Sequence, residues 1–503
     1  MQLKDILNGI KFKANDPIDC IEVNRVVCDS RLVKPGDMFI AFRGYAMDGA
    51  RFINDAVANG AAIILAEKDF SAPANIKKIL IDDSRAGLPV IAGNFYSHPS
   101  QKLKVIGVTG TNGKTTITYI IENILKCAGK ISGVIGTINY RIKDKIIPAR
   151  NTTPGPLELQ AMLAEMVRQD IGFAVMEVSS HSLDQHRVDG VLFDAAILTN
   201  ITGDHLDYHK TIENYLNAKV KIFGHLKSGG TAILNNDDEK VAAIKLSLNK
   251  QVLTYGIKEN ADITCEDLKL SLNNSKFTVK TPAGSFKADT RLIGSHNVSN
   301  MLAAIATSFA LGIDPKAIEK GVCTAAFAPG RLEPVEGPQP FKVFVDYAHT
   351  EDALRNVLGL LRAAADSRII TVFGCGGNRD RTKRPLMGKA ACELSDRVVV
   401  TSDNPRFEEP RDIINEIEAG IKGRFSNYDI VIDRRQAIAR ALELASAGDC
   451  VLIAGKGHED YQIIKDNVMP FDDCVVGREI LRKMFKDESS GNSKNNTRQA
   501  AIR

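Results

Sequence analysis

Residues 105–125, VIGVTGTNGKTTITYIIENIL, constrain this chain more than any other stretch. An apolar, β-branched run passes through a glycine-bearing turn straight into an amphipathic helix pattern. That order opens a βαβ unit, so a mostly parallel sheet with helices on its faces is expected. In Gly110, Thr111, Asn112, Gly113, Lys114, Thr115 and Thr116 the residue types suit a phosphate. Glycine lets backbone N–H groups turn inward, the helix N-terminus adds its dipole, Lys114 brings charge, and the Thr115 hydroxyl is a ligand for Mg²⁺. Val108 stands where the strict phosphate-loop pattern has its first glycine, so the reading rests on GKTT and on the order of elements.

The same rhythm continues on both sides. DMFIAF, AAIILAE and KKILIDD alternate with helical patterns up to about residue 98. FAVMEVSS, DAAILTNI, GGTAILNN and QVLTYG are compact apolar strands of the middle region. After EPVEGPQP, read as a linker, KVFVDYAHT, SRIITVFGCGG, DRVVVTSDNPR, YDIVID and DCVLIAGKGHE each end in polar or glycine-rich residues. Because a single core stops growing near about 250–300 residues, a chain of 503 residues should divide. The expected division is an α/β protein of three domains at 1–100, 101–334 and 335–487, with 488–503 a disordered tail low in apolar residues. A net charge of +4 demands no nucleic-acid surface. Nine cysteines without a C-x-x-C pair read as reduced thiols, and no apolar run approaches a membrane span, so a cytoplasmic protein is expected.

Function must come from what stands beside the phosphate loop. Glu177 ends the strand FAVME, and Asp204 and His205 follow the strand DAAIL at the equivalent place, where a carboxylate and an imidazole suit a divalent metal bridging phosphates and a second oxygen substrate. In TIENYLNAKVKIFGHL, Ile212, Tyr215, Leu216, Val220 and Phe223 form one apolar stripe with Lys219 in its middle. A snorkelling stem is one account of Lys219. The other is a buried amine, whose lowered pKa would let it take up carbon dioxide as a carbamate.

Together these residues resemble the Mur ligase family, the ATP-dependent amino-acid-adding enzymes of peptidoglycan synthesis, over nearly the whole chain. GTNGKTT is similar to that family's ATP loop, and MEVSSH and TNITGDHLDYH to its metal loops, while Lys219 falls at its carbamylated lysine. The resemblance implies a uridine-binding N-terminal domain, a central P-loop ATPase domain and a Rossmann-like C-terminal domain. It implies ATP and two Mg²⁺ ions, held by Thr115, Glu177, His205 and carbamylated Lys219, with carbon dioxide needed for the carbamate and Lys114 catalytic. Further ATP contacts would be His296 and Asn297 in GSHNVSN, Arg331 in PGRLE, and Asp346 and His349 in DYAHT.

The implied acceptor is UDP-MurNAc-L-Ala-D-Glu, held by Ser30 in CDSRLVKPGD, by Asn151, Thr152 and Thr153 in NTTP, and by Ser179, Gln185 and Arg187 in VSSHSLDQHR. From the residues themselves, hydroxyls, an amide and an arginine are suitable donors for carboxylates and a diphosphate. DNPR resembles the motif of the diaminopimelate-adding type, which makes Arg406 the reader of the distal carboxylate of meso-diaminopimelate. Arg379, Asp403, Asn404, Gly455 and Glu459 would complete that pocket. L-lysine as the added amino acid, and a folylpolyglutamate synthase-like ligase, are the alternatives. The second should lack the hundred residues before Lys104. A monomer is expected.

Overall fold

The computed structural model describes residues 1–44, 47–258, 260–364 and 367–496. It forms two compact units. One comprises 1–266, 278–286 and 299–324, and the other 267–277, 287–298 and the chain from Ala325 onward.

Two sheets lie wholly within the first unit. The N-terminal sheet has the order Phe12–Ala14, Lys77–Ile81, Ile63–Ala66, Met38–Ile40, Val26–Val27, parallel except for its first strand. The larger sheet has eight strands in the order Gln251–Tyr255, Leu226–Asn235, Phe193–Leu198, Lys104–Thr109, Phe173–Glu177, Ser132–Ile135, Asn139–Ile142, Lys145–Pro148. Its first six are parallel and covered on both faces, which is why they read as unbroken Val, Ile, Ala and Leu runs. Lys104–Thr109 lies between Phe173–Glu177 and Phe193–Leu198, with Glu177 opposite Val108 and Leu198 opposite Thr109. Three loops therefore leave the sheet side by side at strand carboxyl ends, where ligands gather in such sheets.

The second unit holds a six-stranded sheet in the order Glu333–Pro334, Lys342–Asp346, Cys450–Ala454, Ile369–Phe373, Arg397–Val400, Tyr428–Ile430. All pairs but the first are parallel. DYAHT, AGKGHE, GCGGNR and TSDNPR thus open at one edge.

Three sequence expectations change. EPVEGPQP is not a free linker, because Glu333–Pro334 pairs antiparallel with Lys342–Asp346 as an edge strand, a place where proline's missing N–H is tolerated. Ile212, assigned to the apolar stripe, is 38% exposed at the start of helix Ile212–Val220, which gives way to a 3₁₀ turn at Lys221–His225. The last helix runs Asp473–Asn496, through part of the segment expected to be a disordered tail. Residues 497–503 of that segment lie outside the described residues. Among the described residues no helix is long and apolar enough to cross a membrane.

Candidate active site

Helix Lys114–Cys127 begins at Gly113, whose φ of 91° is left-handed and suits glycine. A Cβ there would also clash with Asn300 Oδ1. Lys114 Nζ folds back onto the loop, donating to Gly110 O at 3.0 Å and Thr111 O at 2.9 Å. Thr115 Oγ1 donates to the Glu177 carboxylate, 3.0 Å from each oxygen. Glu177 is 1% exposed and also receives the Thr137 N–H at 2.8 Å and the Thr137 hydroxyl at 2.9 Å.

Lys219 is buried, which decides for the buried amine over a snorkelling stem. Its Nζ donates to Gly110 O at 2.7 Å and lies 4.5 Å from the centre of the Tyr215 ring, with no carboxylate within ion-pair distance among the described residues. Burial, reinforced by the charge of Lys114, lowers its pKa well below that of a free lysine. Burial likewise lowers His205, which has a left-handed φ of 54° and packs edge-on against His181 with ring centres 4.8 Å apart. His181 is held at about 4 by burial and by the neighbouring His205 and His209. Among the described residues no group of three His, Cys, Asp or Glu side chains is arranged to hold a metal. Thr115 and Glu177 nevertheless offer hard oxygens, and a cation that shares its ligands with substrate phosphates needs no all-protein cage.

The acceptor segment adjoins Glu177. Thr152 Oγ1 is 3.1 Å from Thr137 Oγ1. Thr153 Oγ1 donates to Glu177 O at 2.9 Å and accepts the Ser179 N–H at 3.1 Å, so its hydroxyl is committed inside the protein. Ser179 Oγ caps helix Ser180–Asp184 by accepting the Ser182 N–H. Arg187 donates to Gln185 Oε1 and to Thr153 O. Tyr140 donates to Asn151 O at 2.6 Å. Ser30 lies buried at the start of the 3₁₀ turn Ser30–Leu32.

His296, Asn297, Arg331, Asp346 and His349 belong to the second unit. There the Arg331 guanidinium lies 4.7 Å from the Tyr347 ring centre, and the Tyr347 ring is 5.0 Å from that of His458. Arg331 Nε and His458 Nδ1 are buried without a hydrogen-bond partner among the described residues. Asp346 accepts from Leu332 N and Ala348 N, and burial raises its pKa. Asn297 Nδ2 donates to Ile293 O, and His349 Nδ1 lies 2.9 Å from Tyr347 O.

The DNPR loop is tied down on both sides. Arg406 has a φ of 53°, its N–H donates to Ile463 O, and its carbonyl accepts from Lys465 N. Its guanidinium donates to Gly377 O at 3.0 Å and Asn404 O at 3.4 Å and meets no carboxylate among the described residues. Asn404 Oδ1 accepts the Ile463 N–H while its Nδ2 donates to Glu459 at 2.7 Å. Burial raises the Glu459 pKa, with the fully buried Lys456 opposing from 3.4 Å. At Gly455 a Cβ would stand 2.9 Å from Asp403 Oδ2. Arg379 is exposed.

Comparison with known proteins supplies the family. Residues 22–96 match the Mur ligase family catalytic domain, 108–308 the Mur ligase middle domain, and 330–457 the Mur ligase glutamate ligase domain. The UDP-N-acetylmuramoyl-L-alanyl-D-glutamate–2,6-diaminopimelate ligase of Caldanaerobacter subterraneus subsp. tengcongensis is 42% identical over 97% of this chain and 100% of its own. The chain belongs to the Mur ligase family. The protein of the same name from Geobacillus thermodenitrificans is 44% identical over 90% of this Mur ligase and 94% of its own length. A solved structure of a ligase of that name superposes with a TM-score of 0.70 at 35% identity, covering 96% of this chain and 99% of that one. MurF from Thermotoga maritima, solved with ADP, shares the fold at 21% identity and a TM-score of 0.62, over 93% of this chain and 98% of its own.

Sequence reasoning passed over Thr137, His181 and Lys456 in this Mur ligase. Thr137 follows a strand and a glycine in VIGTINY, a position equivalent to the loops after the neighbouring strands, and that placement was the available signal.

Proposed function

We propose that this Mur ligase joins an amine of meso-2,6-diaminopimelate to the D-glutamyl side-chain carboxylate of UDP-MurNAc-L-Ala-D-Glu, with conversion of ATP to ADP and phosphate. The observation that carries the ligase reading is Lys219, buried against the phosphate loop without a carboxylate partner among the described residues. A nucleotide switch has no use for such a group. A carbamate on it would be an anion directed at the loop's ligands.

In the reaction the acceptor carboxylate attacks the γ-phosphate and ADP leaves. The amine then adds to the acyl phosphate, and phosphate departs from the tetrahedral intermediate. Two anions must first be brought together. The turn Gly110–Thr116 cradles the phosphates, and Lys114 neutralises them by exchanging its loop carbonyls for phosphate oxygens. Thr115 and Glu177 would hold one Mg²⁺ and His205 and carbamylated Lys219 a second, and these ions supply charge neutralisation when bound. His296, Asn297, Arg331, Asp346 and His349 complete the ATP contacts. Ser30, Asn151, Thr152, Thr153, Ser179, Gln185 and Arg187 make up the acceptor's segment. Arg406 takes the distal carboxylate as a bidentate partner, and Glu459 an ammonium, with Arg379, Asp403, Asn404 and Gly455 around them. L-lysine, which offers an ammonium at that end, would leave Arg406 unpaired. The protein acts as a cytoplasmic monomer, with domain limits near residues 100 and 334.

The test is amino-acid-dependent phosphate release from ATP in the presence of UDP-MurNAc-L-Ala-D-Glu. Release with meso-diaminopimelate far above that with L-lysine is expected. A preference for lysine overturns the amino-acid assignment, and release with neither overturns the ligase reading.

A further inference from the structure

Each hydroxyl has one proton, and that fixes the direction of a short relay beneath the acceptor segment. Thr137 Oγ1 is 2.9 Å from Glu177 Oε2, and a carboxylate can only accept, so the Thr137 proton lies on that bond. The contact between Thr137 Oγ1 and Thr152 Oγ1, 3.1 Å, must then be donated by Thr152. With its proton committed, Thr152 has only lone pairs to offer outward. The Glu177 end is equally defined. The Thr137 N–H holds Oε1 at 2.8 Å, and the turn closes so tightly on the carboxylate that a Cβ at Gly136 would stand 2.5 Å from Oε1.

We infer that Thr137 is a positioning residue that aims Glu177 at the phosphate loop and, by accepting the hydrogen bond of the Thr152 hydroxyl, makes Thr152 a hydrogen-bond acceptor for the amide N–H between L-alanine and D-glutamate of the acceptor. The inference rests on the acceptor assignment above and refines it, since the residue type alone suggested that Thr152 donates to a carboxylate. Distances agree with the choice of N–H. In a D-glutamyl residue the reacting carboxyl carbon and the amide nitrogen are four bonds apart, about 5 Å when extended. Two hydrogen-bonded steps, of 3.1 and 2.9 Å, separate Thr152 Oγ1 from Glu177 Oε2. Thr153, whose hydroxyl is already doubly engaged, takes no part.

The test compares UDP-MurNAc-L-Ala-D-Glu with the ester analogue carrying D-2-hydroxyglutarate, in which oxygen replaces that N–H. Binding is measured by calorimetry without ATP on the full chain. The wild type should hold the amide about tenfold more tightly than the ester. The ratio should fall towards one in Thr152→Val, shrink in Thr137→Val and return in Thr137→Ser. In parallel, Mn²⁺ binding in the presence of ADP, read by electron paramagnetic resonance, should weaken several-fold in Thr137→Val and stay unchanged in Thr152→Val. An undiminished amide preference in Thr152→Val overturns the inference alone. Binding of neither compound by the wild type overturns the acceptor assignment with it. Mn²⁺ binding unchanged in Thr137→Val removes the positioning role, whereas equal losses in Thr137→Val and Thr137→Ser reduce Thr137 to a packing residue.

Discussion

The phosphate-loop region and the DNPR loop solve opposite problems with the same kind of material. Around Glu177 every strong group is engaged with another protein group: Thr115, Thr137 and the turn at Gly136 enclose the carboxylate, and Lys219 is held by a loop carbonyl. At Arg406 the backbone is pinned on both sides, yet among the described residues the guanidinium bonds only main-chain carbonyls. Both regions hold a non-glycine residue in the left-handed conformation, His205 and Arg406. Such backbone strain persists only where surrounding structure over-determines it. The difference teaches that the first region is built to keep its own charges in place, and the second to present one charge to something that arrives.

If that contrast is right, removing a group from the enclosed region should stop the reaction, whereas the open region should mainly govern choice. Lys219→Ala is expected to lower the rate of phosphate release by about 10³-fold. In the wild type, carbon dioxide depletion at lowered pH should reduce activity and bicarbonate should restore it. An unchanged rate under verified decarbamylation would count against the Lys219 role. Arg406→Ala should cost about 2–5 kcal/mol in kcat/KM for meso-diaminopimelate and abolish its preference over L-lysine. A variant that still discriminates would move the reading of the distal carboxylate to Arg379.

A third expectation concerns what holds the open loop. Glu408, two residues beyond Arg406, pairs bidentately with the buried Arg384 and accepts the Asn378 N–H. These contacts, led by the Arg384 hydrogen bonds, hold its pKa at about 2. A depressed carboxyl stabilises above its unfolded value, about 4.3, and loses that contribution as pH falls through its folded value. Glu408→Gln should therefore destabilise by about 1–3 kcal/mol at pH 7, with the gap from wild type narrowing between about pH 4 and 2 in urea unfolding. A last expectation concerns Lys219 in carbon-dioxide-free buffer. Its folded pKa lies below the unfolded one, so folding releases a proton between the two values and stability rises with pH there, by at most about 1.4 kcal/mol per unit. Lys219→Met should remove that part of the slope.

Much of this was legible beforehand because buried parallel strands must be apolar throughout and the loops leaving them must carry the chemistry. Thus KVIGVT, FAVME, DAAIL and RVVV identified both their strands and the residues that follow. The three-stranded sheet of Thr264–Leu270, Ser275–Thr281 and Gly284–Thr290 was missed although Ser275, Phe277 and Val279 alternate with less buried residues, because strands this polar lack the unbroken apolar runs that mark a covered parallel sheet. Ile212 misled for a related reason. Helical periodicity assigns a face but not where along the helix that face stops being covered.

By itself the sequence determined the α/β class, the phosphate loop and the place of Lys219 on an apolar stripe, because periodicity and residue order are local properties, and its motifs carried the resemblance to the family. Only the tertiary structure decided that Thr137 encloses Glu177, that the Thr153 hydroxyl turns inward, and that Arg406 meets no carboxylate in the described protein. Those are matters of which donor finds which acceptor across strands distant in sequence. One proton per hydroxyl makes each such choice exclude the others.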